Sequence, residues 1–277
     1  MHTTELVSVV IPSRNEKYLK QTILDLLHKA KGKIQVIAVL DGYWPEVSEL
    51  VLDDRVNYIK TGEAKGMRNG INMAVELARG EYILKTDAHC LFAEGFDEVL
   101  KADCKDNWVI VPRRFPLDPD KWEIEKRNDN KYPVDYMYLS KDLHGEPWPE
   151  RRDDPQYKDK LIDDLMSAQG SCWFMKKKYY QWLELLDEEH YGSFYNEFQE
   201  IGLKVWLSGG VVKVNKKTWY AHWHKPKDVG RGYSLQGNEQ EKAVKFVKQW
   251  VDGRPWHKQT YDFMGMINRF SPVPTWS

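Results

Sequence analysis

Leu6–Glu16 reads LVSVVIPSRNE and Gly80–Cys90 reads GEYILKTDAHC. Each is a short, β-branched apolar run that stops abruptly on polar residues. A near-continuous apolar run describes a strand buried on both faces, as in a parallel sheet covered by helices. Ile34–Leu40 (IQVIAVL) repeats the pattern and stops at Asp41-Gly42; Val56–Ile59 is a shorter strand. Between these runs the period changes. Leu19, Ile23, Leu26 and Leu27 fall on one helical face, and Met67, Ile71, Ala74, Val75 and Ala78 on another that Gly80 closes. Strands alternating with amphipathic helices give an α/β class: a central, mostly parallel sheet flanked by helices.

The second half is less regular. Trp108–Val111 and Ser171–Met175 read as strands, with a helix over 179–186 and another marked by Phe198, Ile201 and Val205. Val211–Val214 and Trp219–His222 read as two short strands. Residues 113–160 are polar, with scattered prolines and aromatics, as expected of a functional or mobile insertion. Ala243, Val244, Phe246, Val247 and Trp250 mark one helix in the tail.

The 277 residues carry 41 basic and 42 acidic side chains, a net charge of −1, with 42% hydrophobic residues and 13% aromatics. Such a chain can bury a large core, and it is not a general nucleic-acid-coating protein. No apolar run reaches the roughly 18 residues of a membrane span. No signal peptide is expected, and the three unpaired cysteines, Cys90, Cys104 and Cys172, point to a reducing cytoplasm.

Ligands in open α/β sheets bind beyond the carboxyl ends of the strands. Three such ends carry polar clusters here: Ser13–Glu16, Asp41-Gly42 and Asp87-Ala88-His89. Taken singly, each is also ordinary turn punctuation or helix capping; their convergence on one sheet edge is the stronger signal. Asp87 and His89 stand two apart, on one side of extended backbone, and could share an ion. A carboxylate with an imidazole suits Mn²⁺ better than Mg²⁺, although Mg²⁺ remains open.

These segments resemble the GT-A glycosyltransferases of family 2. VVIPSRNE (9–16), the Asp41-Gly42 strand end, KGMRNG (65–70) and YILKTDAH (82–89) occur in the family's order. DAHC (87–90), QGSCWFMKKKYY (169–180), YNEFQEIGLKVWLSGG (195–210) and YAHWH (220–224) further resemble polypeptide N-acetylgalactosaminyltransferases. The resemblance implies a GT-A domain over 1–230, with 113–160 as an acceptor-side insertion and 231–277 as a C-terminal lid or helical extension. It implies Asp87, His89 and His222 as Mn²⁺ ligands, His222 being preferred to His224. For the nucleotide-diphosphate sugar, which the resemblance implies is UDP-linked, it implies contacts from Pro12, Ser13, Arg14, Asn15, Glu16, Asp41, Lys65, Arg68, Asp87 and Arg231. Glu197 matches a glutamate that would meet donor sugar or acceptor hydroxyl, and Glu200 is a second candidate for the catalytic carboxylate.

There are departures. Tyr195-Asn196 replaces paired glycines, which leaves the sugar open. The relatives' membrane anchor, stem and lectin domain have no counterpart, so a bacterial or viral cytoplasmic enzyme is expected. Inversion would need Glu197 or Glu200 as base; similarity to the peptide transferases implies retention instead. Three acceptor classes are open: a protein side-chain hydroxyl, a glycan or lipid-linked sugar, and a hydroxymethylated base in DNA. Basic clusters at 113–114, 151–152, 176–178 and 213–217, interleaved with Trp148, Trp173 and Trp219, are either solvated faces or a DNA surface. A nucleotidyltransferase would show a glycine-rich loop after the first strand, which PSRNE lacks. A carbohydrate-binding module or an inactive relative is the non-enzyme alternative.

Overall fold

The structure is a computed structural model that describes residues 3–276 except 128, 227, 228, 230–234 and 236. Its first half comprises β1 (Thr3–Ser13), α1 (Leu19–Lys29), β2 (Ile34–Leu40), β3 (Val56–Lys60), α2 (Met67–Leu77), β4 (Gly80–Thr86), β5 (Cys90–Phe92), α3 (Phe96–Asp103) and β6 (Trp108–Asp118). There follow β7 (Glu123–Ile124), β8 (Met137–Leu139), β9 (Gly145–Pro147), α4 (Pro149–Asp153), β10 (Ile162–Asp164), β11 (Cys172–Lys176) and α5 (Lys177–Trp182). The chain closes with α6 (Glu188–Tyr191), α7 (Glu197–Leu207), β12 (Val211–His222), α8 (Glu239–Asp252) and α9 (Phe263–Arg269).

The main sheet runs β10-β12-β6-β11-β4-β1-β2-β3. Its β4-β1-β2-β3 half is parallel, as the apolar runs indicate. Alternation along these strands feeds two cores. Val7, Val9 and Ile11 of β1, with Val36 and Ala38 of β2, pack toward α1 and α3. Val10, Ile37 and Val39 point the other way, toward α2 and the second-half helices. This is a sheet between helical layers.

Strand β11 is antiparallel to both β4 and β6. Strands β4 and β6 therefore run in the same direction, and β12 is parallel to β6. The carboxyl ends of β1, β2, β4 and β12 consequently emerge on one edge. That single consequence of topology positions the site.

Three expectations from sequence change. The two short strands at 211–214 and 219–222 are one strand, β12, with a register shift between Asn215 and Trp219. Strand β6 continues to Asp118 because the second half of β12 pairs with Arg113–Pro116. Much of 113–160 is thus structured: Tyr136, Met137, Leu139 and Trp148 are buried. Finally, residues 239–273 are not an appendage. Ala243, Val247, Trp250, Phe263, Ile267 and Phe270 belong to the larger core.

Candidate active site

The shared edge encloses a cavity of about 460 Å³. Of the side chains expected there from sequence, Pro12, Ser13, Arg14, Glu16, Asp41, Asp87, His89 and His222 line it. Met67, Phe194, Trp223, His224 and Lys225 complete much of the wall. Of these, His224 is the residue named above as the alternative metal ligand.

Asp87, His89 and His222 offer ligand atoms that all lie within 4.8 Å of one another. β4 delivers the first two, and the antiparallel pairing of His222 with Cys90 delivers the third. The His222 Nε2 lies 3.2 Å from Asp87 Oδ2, and the His89 and His222 ring centroids are 4.9 Å apart. Burial lowers the His222 pKa to about 4, against the pull of Asp87. Burial alone would raise the Asp87 carboxyl, but the Lys85 ammonium and His222 hold it well below the usual carboxylate range. A carboxylate and a neutral imidazole are the protonation states a cation requires. The buried Nδ1 of His222 has no partner. Donor type, spacing and protonation fit a Mn²⁺-like ion. His224, whose ring centroid is 4.6 Å from that of His222, lines the cavity beside the group.

Behind Asp87 sits Lys85, which sequence reasoning passed over as a strand residue. Its side chain is almost wholly buried, and its Nζ donates to Asp87 Oδ1 at 2.7 Å, Gly170 O at 2.6 Å and Glu197 Oε2 at 3.2 Å. A lysine inside the run YILKT was the available signal, because a buried ammonium demands carboxylates. Glu197 also accepts from Trp173 Nε1 at 2.7 Å. A Cβ on Gly170 would lie 2.4 Å from Glu197 Oε2, so the glycine makes room for this carboxylate. Burial, then Asp87, raises the Glu197 pKa in spite of Lys85.

Other candidates stand elsewhere. Glu197 is not on the cavity wall; it is one lysine removed from it. Glu200 is fully buried, its carboxylate ion-paired with Arg68 and, at 2.7 Å, with Lys204. Arg68 is equally buried and also donates to the Tyr195 carbonyl. Neither expectation, Glu200 as catalytic carboxylate or Arg68 as nucleotide contact, agrees with this placement: both side chains fasten α2 to α7. Lys65 contributes its backbone N–H to Asp41 Oδ1 at 2.6 Å, beside Gly66 N–H to Oδ2 at 2.9 Å, and its side chain is exposed. Asn15 adopts a left-handed φ of 55° in the turn, off the wall. Arg231 lies outside the described residues.

The basic clusters do not form a free surface. Arg113 makes a two-pronged pair with Asp135, and Arg114 donates to Gln169. Arg151 sits among Tyr136, Trp148, Tyr157 and Phe270, while Arg152 pairs with Asp153. Lys176 and Lys178 meet Asp106, Lys177 meets backbone carbonyls, Lys213 meets Asp164 and Lys217 meets Asp103. Trp148 and Trp173 are buried. Most of these charges thus answer carboxylates, carbonyls or aromatic rings within the fold.

The model of the family "Glycosyl transferase family 2" matches residues 8–183, well over half of the chain. The chain belongs to glycosyl transferase family 2. Among curated relatives, the glycosyltransferase GlyG of Streptococcus pneumoniae serotype 4 is 29% identical over 42% of this chain and 41% of its own length. A putative polypeptide N-acetylgalactosaminyltransferase 13 of Drosophila melanogaster is 26% identical over 75% of this chain and 40% of its own. The chain thus spans less than half the length of these family members. A solved structure of GalNAc-T7 with UDP, GalNAc and Mn²⁺ superposes with a TM-score of 0.72 at 18% identity, over 89% of this chain and 48% of that one. Staphylococcus aureus TarS in complex with UDP-GlcNAc gives 0.57 at 13% identity, over 91% and 69%. These likenesses establish the GT-A fold of the family 2 domain. Among the described residues no helix is long and apolar enough to cross a membrane.

Proposed function

We propose that this family 2 domain transfers a sugar from a nucleotide-diphosphate sugar, a UDP-sugar, to an acceptor hydroxyl, with a Mn²⁺-like ion held by Asp87, His89 and His222. The observation that carries the reading is this ligand group opening into the cavity lined by the ends of β1 and β2. When bound, the ion supplies Lewis-acid stabilisation to the departing diphosphate. The chain's own residues do the rest. The Pro12–Arg14 turn and Asp41 shape the wall where base and ribose would lie, and backbone donors from 65 and 66 fix the Asp41 carboxylate.

Retention is the better supported stereochemistry. Inversion needs a free carboxylate base facing the sugar. Each carboxylate on the described wall is engaged: Asp41 by backbone N–H groups, Asp87 by Lys85 and His222, Glu16 by His89 and Lys225. The departing diphosphate then accepts the acceptor's proton. The committed basic clusters favour a peptide or glycan hydroxyl over a DNA base, and the named peptide transferases among the relatives support testing Ser/Thr peptides first.

The test is release of nucleoside diphosphate from a panel of UDP-, GDP- and dTDP-sugars with and without Mn²⁺. Slow Mn²⁺-dependent hydrolysis of a UDP-sugar is expected; release that ignores both metal and nucleotide would overturn the reading. Glu197 acts through Lys85 on Asp87, as a positioning residue. Glu197→Gln is expected to lower kcat by about 10-fold, the low end of the cost of an outer partner of a metal ligand because Lys85 stands between them, and to leave UDP affinity within about twofold. An unchanged kcat would make Glu197 only the first residue of α7.

A further inference from the structure

Glu16 ends the turn after β1, and its carboxylate joins two residues that are distant in sequence. Its Oε2 lies 3.2 Å from His89 Nδ1, and its Oε1 lies 2.5 Å from Lys225 Nζ. The Glu16 and His89 side chains are only 11% and 10% exposed, so water competes weakly for this contact. On another side the Trp223 ring meets His89 edge-on, at 5.8 Å and 88°. The imidazole is therefore held in place without help from a ligand.

The chemistry of this contact is directional. An ionised carboxylate only accepts hydrogen bonds. In the neutral ring the proton must then sit on Nδ1, which leaves the Nε2 lone pair as the donor. Lys225 holds the second oxygen, so the carboxylate cannot turn away from the ring. Metal-binding imidazoles generally have their other nitrogen fixed by such a partner.

We propose that Glu16 is the positioning residue of His89, setting its tautomer and ring orientation for a divalent cation, instead of contacting the nucleotide as the family resemblance implies. The proposal rests on the reading of Asp87, His89 and His222 as a metal group. It reassigns Glu16 within the cavity and makes the first strand's turn part of the metal site.

Two measurements test it. In metal-free protein carrying ¹⁵N-labelled histidine, His89 is expected as the Nδ1–H tautomer, with Glu16→Ala shifting it toward Nε2–H. By Mn²⁺ titration followed by electron paramagnetic resonance, Glu16→Ala is expected to weaken binding about 10–100-fold. Glu16→Gln, whose amide oxygen can accept the same hydrogen bond, should restore the tautomer and most of the affinity. If Glu16→Ala does not fold, Glu16→Asp keeps the charge but withdraws it by one methylene, and the same tautomer shift is expected. A wild-type tautomer or Mn²⁺ affinity within about twofold of wild type in Glu16→Ala, or in Glu16→Asp where it stands in for it, overturns the proposal. If the wild-type protein itself binds no Mn²⁺, the metal reading fails, while the tautomer comparison still decides the role of Glu16.

Discussion

Asp87→Ala is expected to abolish metal-dependent turnover, a loss of more than about 100-fold, since even outer partners of metal ligands cost 10–100-fold. The fold should survive. Removing the Asp87 carboxylate leaves Lys85 paired with Glu197 at 3.2 Å and donating to Gly170 O at 2.6 Å. No buried charge is then left without a partner, which is the condition that makes such truncations destabilising. Circular dichroism and thermal unfolding close to wild type, together with lost Mn²⁺ binding, is the expected result. Normal Mn²⁺-dependent turnover in the variant would remove Asp87 from the site.

Arg68→Met should do the reverse. Arg68 and Glu200 are both fully buried, and the guanidinium also donates to the Tyr195 carbonyl and stacks 4.7 Å from the centre of the Tyr191 ring. Breaking a buried pair by removing one partner costs about 3–5 kcal/mol. Lys204, 2.7 Å from Glu200, remains as a partial partner and places the expected loss near about 3 kcal/mol, the lower end of that range. Denaturant unfolding checks the magnitude, and Arg68→Met with Glu200→Gln should recover part of it. UDP affinity of the folded protein should stay within about twofold. A large loss of UDP affinity without loss of stability would return Arg68 to the nucleotide.

The two variants mark what could be read before folding. Asp87 and His89 were legible because they follow an apolar strand directly, and local order alone carries that signal. His222 needed the family's order of motifs, since its approach depends on β12 pairing with both β5 and β6. Arg68, Glu200 and Lys85 show the limit. A charged residue in a one-dimensional pattern looks like a surface or a contact; whether it is buried depends on which element folds over it. Here Glu200 of α7 meets Arg68, and the Gly170 carbonyl, just before β11, meets Lys85. The pairing of the basic clusters was hidden for the same reason, because their carboxylate partners lie up to 114 residues away.

The parallel half of the sheet was legible from apolar runs, while the antiparallel insertion of β11 between β4 and β6 was not. Its pairing is non-local, and its sequence, CWFMK, is as apolar as that of a parallel strand. The interruption KVNKKT hid the continuity of β12: its lysines break the alternation at the place where the register shifts.

The central claim is that Asp87, His89 and His222 together hold a divalent cation at the mouth of a nucleotide-sugar cavity. Anomalous diffraction from crystals soaked with Mn²⁺ and UDP tests it most directly. One strong peak bonded by these three side chains is expected, with the UDP diphosphate beside it. A cavity that binds UDP with no peak at the three side chains, or with Mn²⁺ held elsewhere, would contradict it.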